Sequence, residues 1–161
     1  MSLNPITVAD YFVKRSLDET KPLTPMQLLK MVYIAHGWSL GLRKQPLINE
    51  HVEAWQYGPV VPSVYQAYKS YGSGGVTEQA GKLSLADVRD YIPLLDRIYE
   101  VFHVIGGGSL STMTHKKGTP WEQMTRDYVR RTLPRGLIIP NKLIQDYYEV
   151  LAENGGRMEA A

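Results

Sequence analysis

Between Leu28 and Leu42 the apolar side chains recur at helical spacing. Leu28, Val32, Ala35 and Trp38 form one stripe, widened by Leu29, Met31 and Leu42. Thr24 is a suitable N-cap and Pro25 suits the first helical position, so a helix is predicted to start there. Gly37 lies inside this helix, where glycine costs about 1 kcal/mol relative to alanine. Its presence predicts close approach of a neighbouring element. An earlier stripe of Val8, Tyr11 and Phe12 predicts a first helix over Val8–Leu17. Thr7 is its expected cap, with Asp10 in the first turn against the helix dipole. The stretch DETKPL separates the two helices.

After Leu47 the period changes. Val52 and Ala54 alternate with Glu53 and Trp55, which predicts a short extended segment with two distinct faces. Tyr57-Gly58-Pro59 is expected to break it. Pro62 opens a helix with Val61, Val64, Tyr65 and Tyr68 inward, ended by Tyr71-Gly72. The glycine-rich segment from Ser73 to Leu83 is expected to be a flexible loop. A short helix follows from Ser84 through Asp90. Pro93 lies near the start of a longer one, with Leu94, Leu95, Ile98, Tyr99, Phe102 and Ile105 in helical register. Gly106-Gly107-Gly108 is expected to stop it. Short helices are predicted over Ser109–Met113 and Trp121–Tyr128, with a basic loop over Arg130–Gly136 between the latter and a last helix. Pro140 opens that helix, whose stripe is Ile144, Tyr147, Tyr148 and Leu151. The fold class is therefore mainly α: a compact single-domain bundle of about six or seven helices with at most one small β-element. The domain is expected over residues 1–153, with a frayed tail over 154–161. No internal repeat is visible.

Composition adds bounds to this picture. A chain of 161 residues fits one domain. It has no cysteine, which removes thiol catalysis, iron–sulfur clusters and cysteine-ligated zinc. The net charge of +2 is too small to argue for nucleic acid by itself. Eleven tyrosines against two phenylalanines suit a core edge, or a surface that meets another protein. The first residues show no basic segment followed by an apolar one, and there is no long apolar run, so a cytoplasmic protein without a membrane span is expected.

Candidate chemistry is sparse. His36, His51, His103 and His115 are scattered and match no metal-ligand spacing. The GGGS run at Gly106 to Ser109 lacks the lysine of a phosphate loop and follows a helix rather than a strand. Asp18-Glu19 reads as solvated charge at a helix end. No nucleophile, base and oxyanion set can be assembled, so no catalytic, cofactor or metal site is assigned and the chain is read as a non-enzyme. Trp38 and Trp121 are read as core. Arg126, Arg130, Arg131 and Arg135, with Lys116 and Lys117 before them, form a possible basic patch for a nucleic-acid-binding regulator. The reading favoured over it is a solvated loop partly neutralised by Glu122 and Asp127.

Two blocks carry a resemblance. The first joins Leu28, Lys30, Tyr33, Ala35, Gly37 and Trp38 to Glu53-Ala54-Trp55, Tyr57-Gly58-Pro59-Val60-Val61-Pro62 and Val64-Tyr65. The second joins Leu94-Leu95 and Leu110 to Thr114-His115 and Pro120-Trp121, with a closing helix over Ile138–Tyr148. Together they resemble the Panacea antitoxin domain family, also called SocA-like or phage-associated GepA-like, from about Met1 to Leu151. The resemblance implies an antitoxin that neutralises a cognate protein toxin in a complex. It also admits a proteolytic adaptor that delivers a toxin to a AAA+ protease. Family members often carry a separate DNA-binding domain; at this length none is expected here, nor autoregulation through one.

The stretch WQYGPVVPSVY is the centre of the first block. Gly58 frees the backbone and Pro59 fixes it again, so a stiff corner leading into the Pro62 helix is expected. A rigid corner edged by aromatics loses little entropy on binding. Trp55, Tyr57, Gly58, Pro59 and Tyr65 are therefore candidate partner contacts, together with His115, whose alternative is a hydrogen bond to a loop carbonyl. A tyrosine-lined surface could equally serve a homodimer.

Overall fold

The computed structural model describes residues 2–128 and 132–154. Its centre is α2 (Pro25–Trp38), packed on α1 (Pro5–Asp18) and on four later helices, α3 (Pro62–Tyr68), α5 (Ile92–Phe102), α6 (Gly107–His115) and α8 (Asn141–Glu153). A single turn, α4 (Leu85–Val88), and α7 (Pro120–Thr125) complete the helical set. Among the described residues, seven helices longer than one turn and a small sheet make the expected mainly-α bundle. No helix of the described residues is long and apolar enough to cross a membrane.

The caps explain most boundaries. Thr24 Oγ1 accepts the Gln27 N–H at 3.3 Å, and Gln27 Oε1 accepts the Thr24 N–H at 2.9 Å. This reciprocal pair satisfies two donors that the helix start would otherwise leave open. Gln27 also donates from Nε2 to the carbonyls of His103 and Ile105, tying the start of α2 to the end of α5. The first helix begins earlier than its apolar stripe predicts. Asn4, rather than Thr7, is the cap: its Oδ1 accepts the Ile6 N–H at 2.8 Å, and Pro5 pre-sets the first turn. Asp10 consequently lies beyond the first turn and is buried.

The triple glycine starts a helix instead of stopping one. Helix α5 ends at Phe102, Gly106 caps α6, and Gly107 lies so close to Met26 that a Cβ there would come within 2.8 Å of the Met26 side chain. Glycine is needed because the helix start abuts α2.

Near the C-terminus, α8 crosses a five-residue π-helical turn over Ser39–Arg43 that extends α2. Gly37 and Gly41 make this crossing possible. A Cβ on Gly37 would fall 2.2 Å from the Tyr148 ring, and one on Gly41 would fall 2.9 Å from the Tyr148 backbone. Tyr148 packs edge-on against Trp38 with centroids 5.3 Å apart.

The β-element is a three-stranded antiparallel sheet in the order β2 (Gly58–Val60), β1 (Val52–Trp55), β3 (Ile138–Ile139). β1 and β2 form a hairpin around Gln56-Tyr57, pairing Trp55 with Gly58 and Glu53 with Val60. The expected break at Tyr57-Gly58-Pro59 is thus a hairpin turn followed by a strand. Proline is tolerated because β2 is an edge strand, where a missing N–H costs no ladder bond. Ile138-Ile139 forms β3 before the last helix starts, although the resemblance assigned both residues to that helix.

The segment from Ser73 to Leu83 is pinned rather than loose. Val76 is buried and its N–H donates to the Leu23 carbonyl at 2.7 Å. The Asp10 carboxylate accepts the N–H groups of Ala80 and Gly81 at 3.1 and 2.9 Å, and also the Tyr68 hydroxyl. Arg130 and Arg131 of the expected basic loop, and residues 155–161 of the expected tail, lie outside the described residues.

Candidate partner-binding groove

Alternation along β1 separates its two faces. Val52 and Ala54 are buried, while Glu53 and Trp55 look outward. The outward face is one wall of a groove of about 1140 Å³. The opposite wall comes from α7 and its C-terminal turn, through Trp121, Glu122, Arg126 and Tyr128, and from the 132–136 loop. Gln56 of the hairpin and Gln66 of α3 also line it.

Hydrogen bonds hold this arrangement. Thr119 caps α7, accepting the Glu122 N–H at 3.3 Å, with Pro120 in the first turn. That fixes Trp121, whose Nε1–H donates to the Trp55 carbonyl at 2.7 Å. The Trp55 Nε1–H donates to Glu53 Oε1 at 3.0 Å, and its ring meets Tyr65 edge-on at 5.1 Å. Both indole donors are therefore satisfied internally, and what the groove offers is aromatic surface.

The charges are of both signs. Arg126 pairs with Glu122 at 2.9 Å across one helical turn. The Gly118 N–H and that guanidinium hold the Glu122 carboxyl below its usual range. Arg135 is exposed, and no carboxylate among the described residues pairs with it.

Beneath the hairpin lies a buried cation. Lys30 of α2 is fully buried, and its Nζ donates to the Pro59 carbonyl at 3.0 Å. A Cβ on Gly58 would come within 3.0 Å of that Nζ, and Gly58 has φ +118°, so glycine is required on both counts. Burial lowers the lysine pKa to about 7. On the far side of α2, His36 Nδ1 accepts the Leu47 N–H at 3.2 Å, which leaves Nε2 to donate to Asn141 Oδ1 at 2.9 Å. Burial pushes its pKa down, so this neutral tautomer is the stable one.

The sequence candidates separate in this geometry. Trp55 lies in the groove, and Tyr65 packs against it from α3. Tyr57, 62% exposed, is at the hairpin tip, where its carbonyl accepts the Ser111 hydroxyl at 2.5 Å. Gly58 and Pro59 are buried and present no surface; their contribution is the hairpin and the Lys30 contact. His115 is half-buried beside Trp121, ring centroids 5.3 Å apart, with Nδ1 3.4 Å from the Ser111 hydroxyl rather than at a loop carbonyl. Arg126 and Arg135 of the basic set line the same groove as Trp55. Trp38 is core, 2% exposed, but Trp121 is a groove wall. Its position beside a surface helix cap was the available signal. Glu53 and Gln66 were not singled out from sequence. The period-2 alternation already placed Glu53 beside Trp55, whereas nothing local marked Gln66. Among the described residues no group of three histidines or acids stands together as a metal site.

Comparison with known proteins gives two findings. The family model for the antitoxin SocA-like, Panacea domain matches residues 28–122. Those bounds include α2, the hairpin, and α7 through Glu122. A curated relative, Antitoxin SocA of Caulobacter vibrioides (strain NA1000 / CB15N), is 26% identical over 157 residues, covering 91% of this chain and 83% of that protein. No solved structure matches.

Proposed function

Because the chain belongs to the antitoxin SocA-like, Panacea domain family, we propose that it is the antitoxin of a toxin–antitoxin pair. It neutralises its cognate toxin by direct, stoichiometric binding and carries out no chemistry of its own. The observation that carries this reading is the match itself. It includes the hairpin and the first residues of α7, and the curated relative is an antitoxin. The geometry supports binding over catalysis. The indole N–H groups in the groove are already engaged, that of Trp55 with Glu53 and that of Trp121 with the Trp55 carbonyl. The aromatic faces around them are the kind of surface on which interfaces concentrate their binding energy.

The test is co-expression with the product of the adjacent gene. Growth rescue, with both chains co-purifying in a fixed ratio and the toxin persisting, is the expected result. Rescue in which toxin disappears only while an ATP-dependent protease is active would replace masking by delivery to that protease. Failure of the pair to rescue or to form a complex would reject the antitoxin reading.

A further inference from the structure

Among the described residues, Lys30 is the one lysine or arginine that is fully buried. Its Nζ meets the Pro59 carbonyl at 3.0 Å, and Gly58 lies against the same nitrogen. The Thr114 hydroxyl of α6 stands close by, with its proton committed to the Leu110 and Ser111 carbonyls of its own helix. An ammonium has three N–H groups, and away from water it needs an anion or several acceptors. The elements that meet around this one, α2, β2 and α6, contain no aspartate or glutamate. Their other titratable side chains are engaged elsewhere. Tyr33 packs on Tyr148, His36 bonds Asn141, and His115 faces Ser111 and Trp121. On the rest of the hairpin, Tyr57 is exposed at the tip and Glu53 takes the Trp55 N–H on the outward face. Burial alone lowers the lysine pKa, with no charged neighbour on any element adding to it.

We propose that the β1–β2 hairpin is a proton-coupled latch: closing over Lys30 expels a proton, and the hairpin opens as a local unit by taking one up. Closed, the uncharged amine needs one acceptor and finds it in Pro59. Open, the amine reaches water and is charged below pH ~10. The hairpin gives way rather than the helix, because α2 is packed on α1, α3, α5, α6 and α8. β2 is a three-residue strand at the edge of the sheet. It is held by its pairing with β1, by the Ser111 hydroxyl on the Tyr57 carbonyl and by its buried valine. The hairpin also carries the Trp55 carbonyl that Trp121 engages, so opening displaces one wall of the groove. The latch goes beyond the antitoxin reading and is independent of it.

Amide hydrogen exchange of the purified full chain tests this, followed by NMR in the cold, where the chemical step is slower than reclosing. Base catalyses that step, so an amide freed by an ordinary opening exchanges faster in proportion to hydroxide. With Lys30 at about 7 in the closed form and about 10.4 in the open one, opening takes up a proton between those values. Such an opening becomes about tenfold rarer per pH unit, which cancels the gain from hydroxide. The reporters are the amides of Glu53, Trp55, Gly58 and Val60, which pair across the hairpin. Leu151, near the end of α8, is the control for simple fraying.

The expected result in the wild type is a nearly constant exchange rate at the hairpin amides between pH ~7.5 and pH ~9, while Leu151 accelerates with hydroxide. The hairpin amides should also exchange faster than the buried centre of α2, which marks an opening smaller than global unfolding. In Lys30→Met the hairpin amides should follow hydroxide as Leu151 does. Hairpin amides that follow hydroxide in the wild type would overturn the proposal. So would hairpin amides as slow as the slowest of α2, because the hairpin would then open only with the whole molecule. A constant rate that survives in Lys30→Met would assign the proton to another group. The first two outcomes need the wild type alone, so they decide the matter even if Lys30→Met does not fold. Co-expression and exchange fail separately, because neither result bears on the other.

Discussion

Trp121 Nε1 donates to the Trp55 carbonyl at 2.7 Å across 66 residues of sequence. This bond links the hairpin to α7 beside the groove. Trp121→Phe keeps an aromatic ring but removes the donor, and with it this long-range bond. The expected loss is about 1 kcal/mol of stability, read from urea unfolding. Trp55→Phe leaves that carbonyl bond intact and is expected to cost less. Equal losses in the two variants would show that ring packing, not this bond, holds the groove together.

Lys30 makes stability depend on pH. Its pKa is lowered to about 7 in the fold, against about 10.4 in the unfolded chain. The unfolded state therefore binds more protons through this interval, and stability rises with pH from about 7 upward. Above pH ~10 the buried tyrosines oppose this. Burial raises the pKa of Tyr33, Tyr68 and Tyr148, so the unfolded chain ionises first there. The usable window is below that. Wild-type unfolding free energy should increase by about 2 kcal/mol between pH ~7 and pH ~9, and Lys30→Met should abolish the increase. A slope that survives in Lys30→Met would assign it to another group.

Gly37 and Gly108 are both helical glycines, yet opposite outcomes are expected. At Gly37 a methyl group would meet the Tyr148 ring at 2.2 Å, and that ring is buried among Trp38, Tyr33 and Tyr147. Gly37→Ala should destabilise by about 2 kcal/mol or more through overpacking. At Gly108 nothing lies within 4 Å of the added atom. Gly108→Ala should stabilise by roughly 0.5 kcal/mol, by restricting the unfolded chain. Thermal melts of the two variants side by side check both signs.

Asp10 holds the glycine-rich segment by accepting from Ala80, Gly81 and Tyr68. Asp10→Asn replaces an acceptor with a donor that faces N–H groups. Local opening should become easier by about 1.4 kcal/mol, so trypsin cleavage after the exposed Lys82 should accelerate about tenfold. The rate of appearance of the two fragments measures it. An unchanged rate would show that Val76 packing alone pins the loop.

Much of this protein could be read from its residues one element at a time. Thr24-Pro25 and Pro62 mark real helix starts, because these signals need only the next few residues. The period-2 alternation of Val52 to Trp55 gave the strand and both of its faces. Where local signals competed, the nearest stripe misled. Asn4-Pro5 outcompeted Thr7, and the Gly106–Gly108 run served as a helix entry because Met26 crowds it. The site was legible only in parts: Trp55 from the hairpin motif, Arg126 and Arg135 from the charge cluster. That these form one groove was not visible, since they approach through a bond between positions 55 and 121.

The sequence by itself determined most of the helices, the faces they bury and the uneven charge, since each depends on neighbours within a turn or two. It also carried the family, through side chains spaced along two blocks. Only the tertiary structure decided that Trp38 is core while Trp121 is a wall, that Lys30 is sealed under Pro59, and that Gly37 and Gly41 exist for Tyr148. Periodicity reports which face of an element is apolar. Which distant element covers that face is settled by packing, where long-range contacts compete for the same surface.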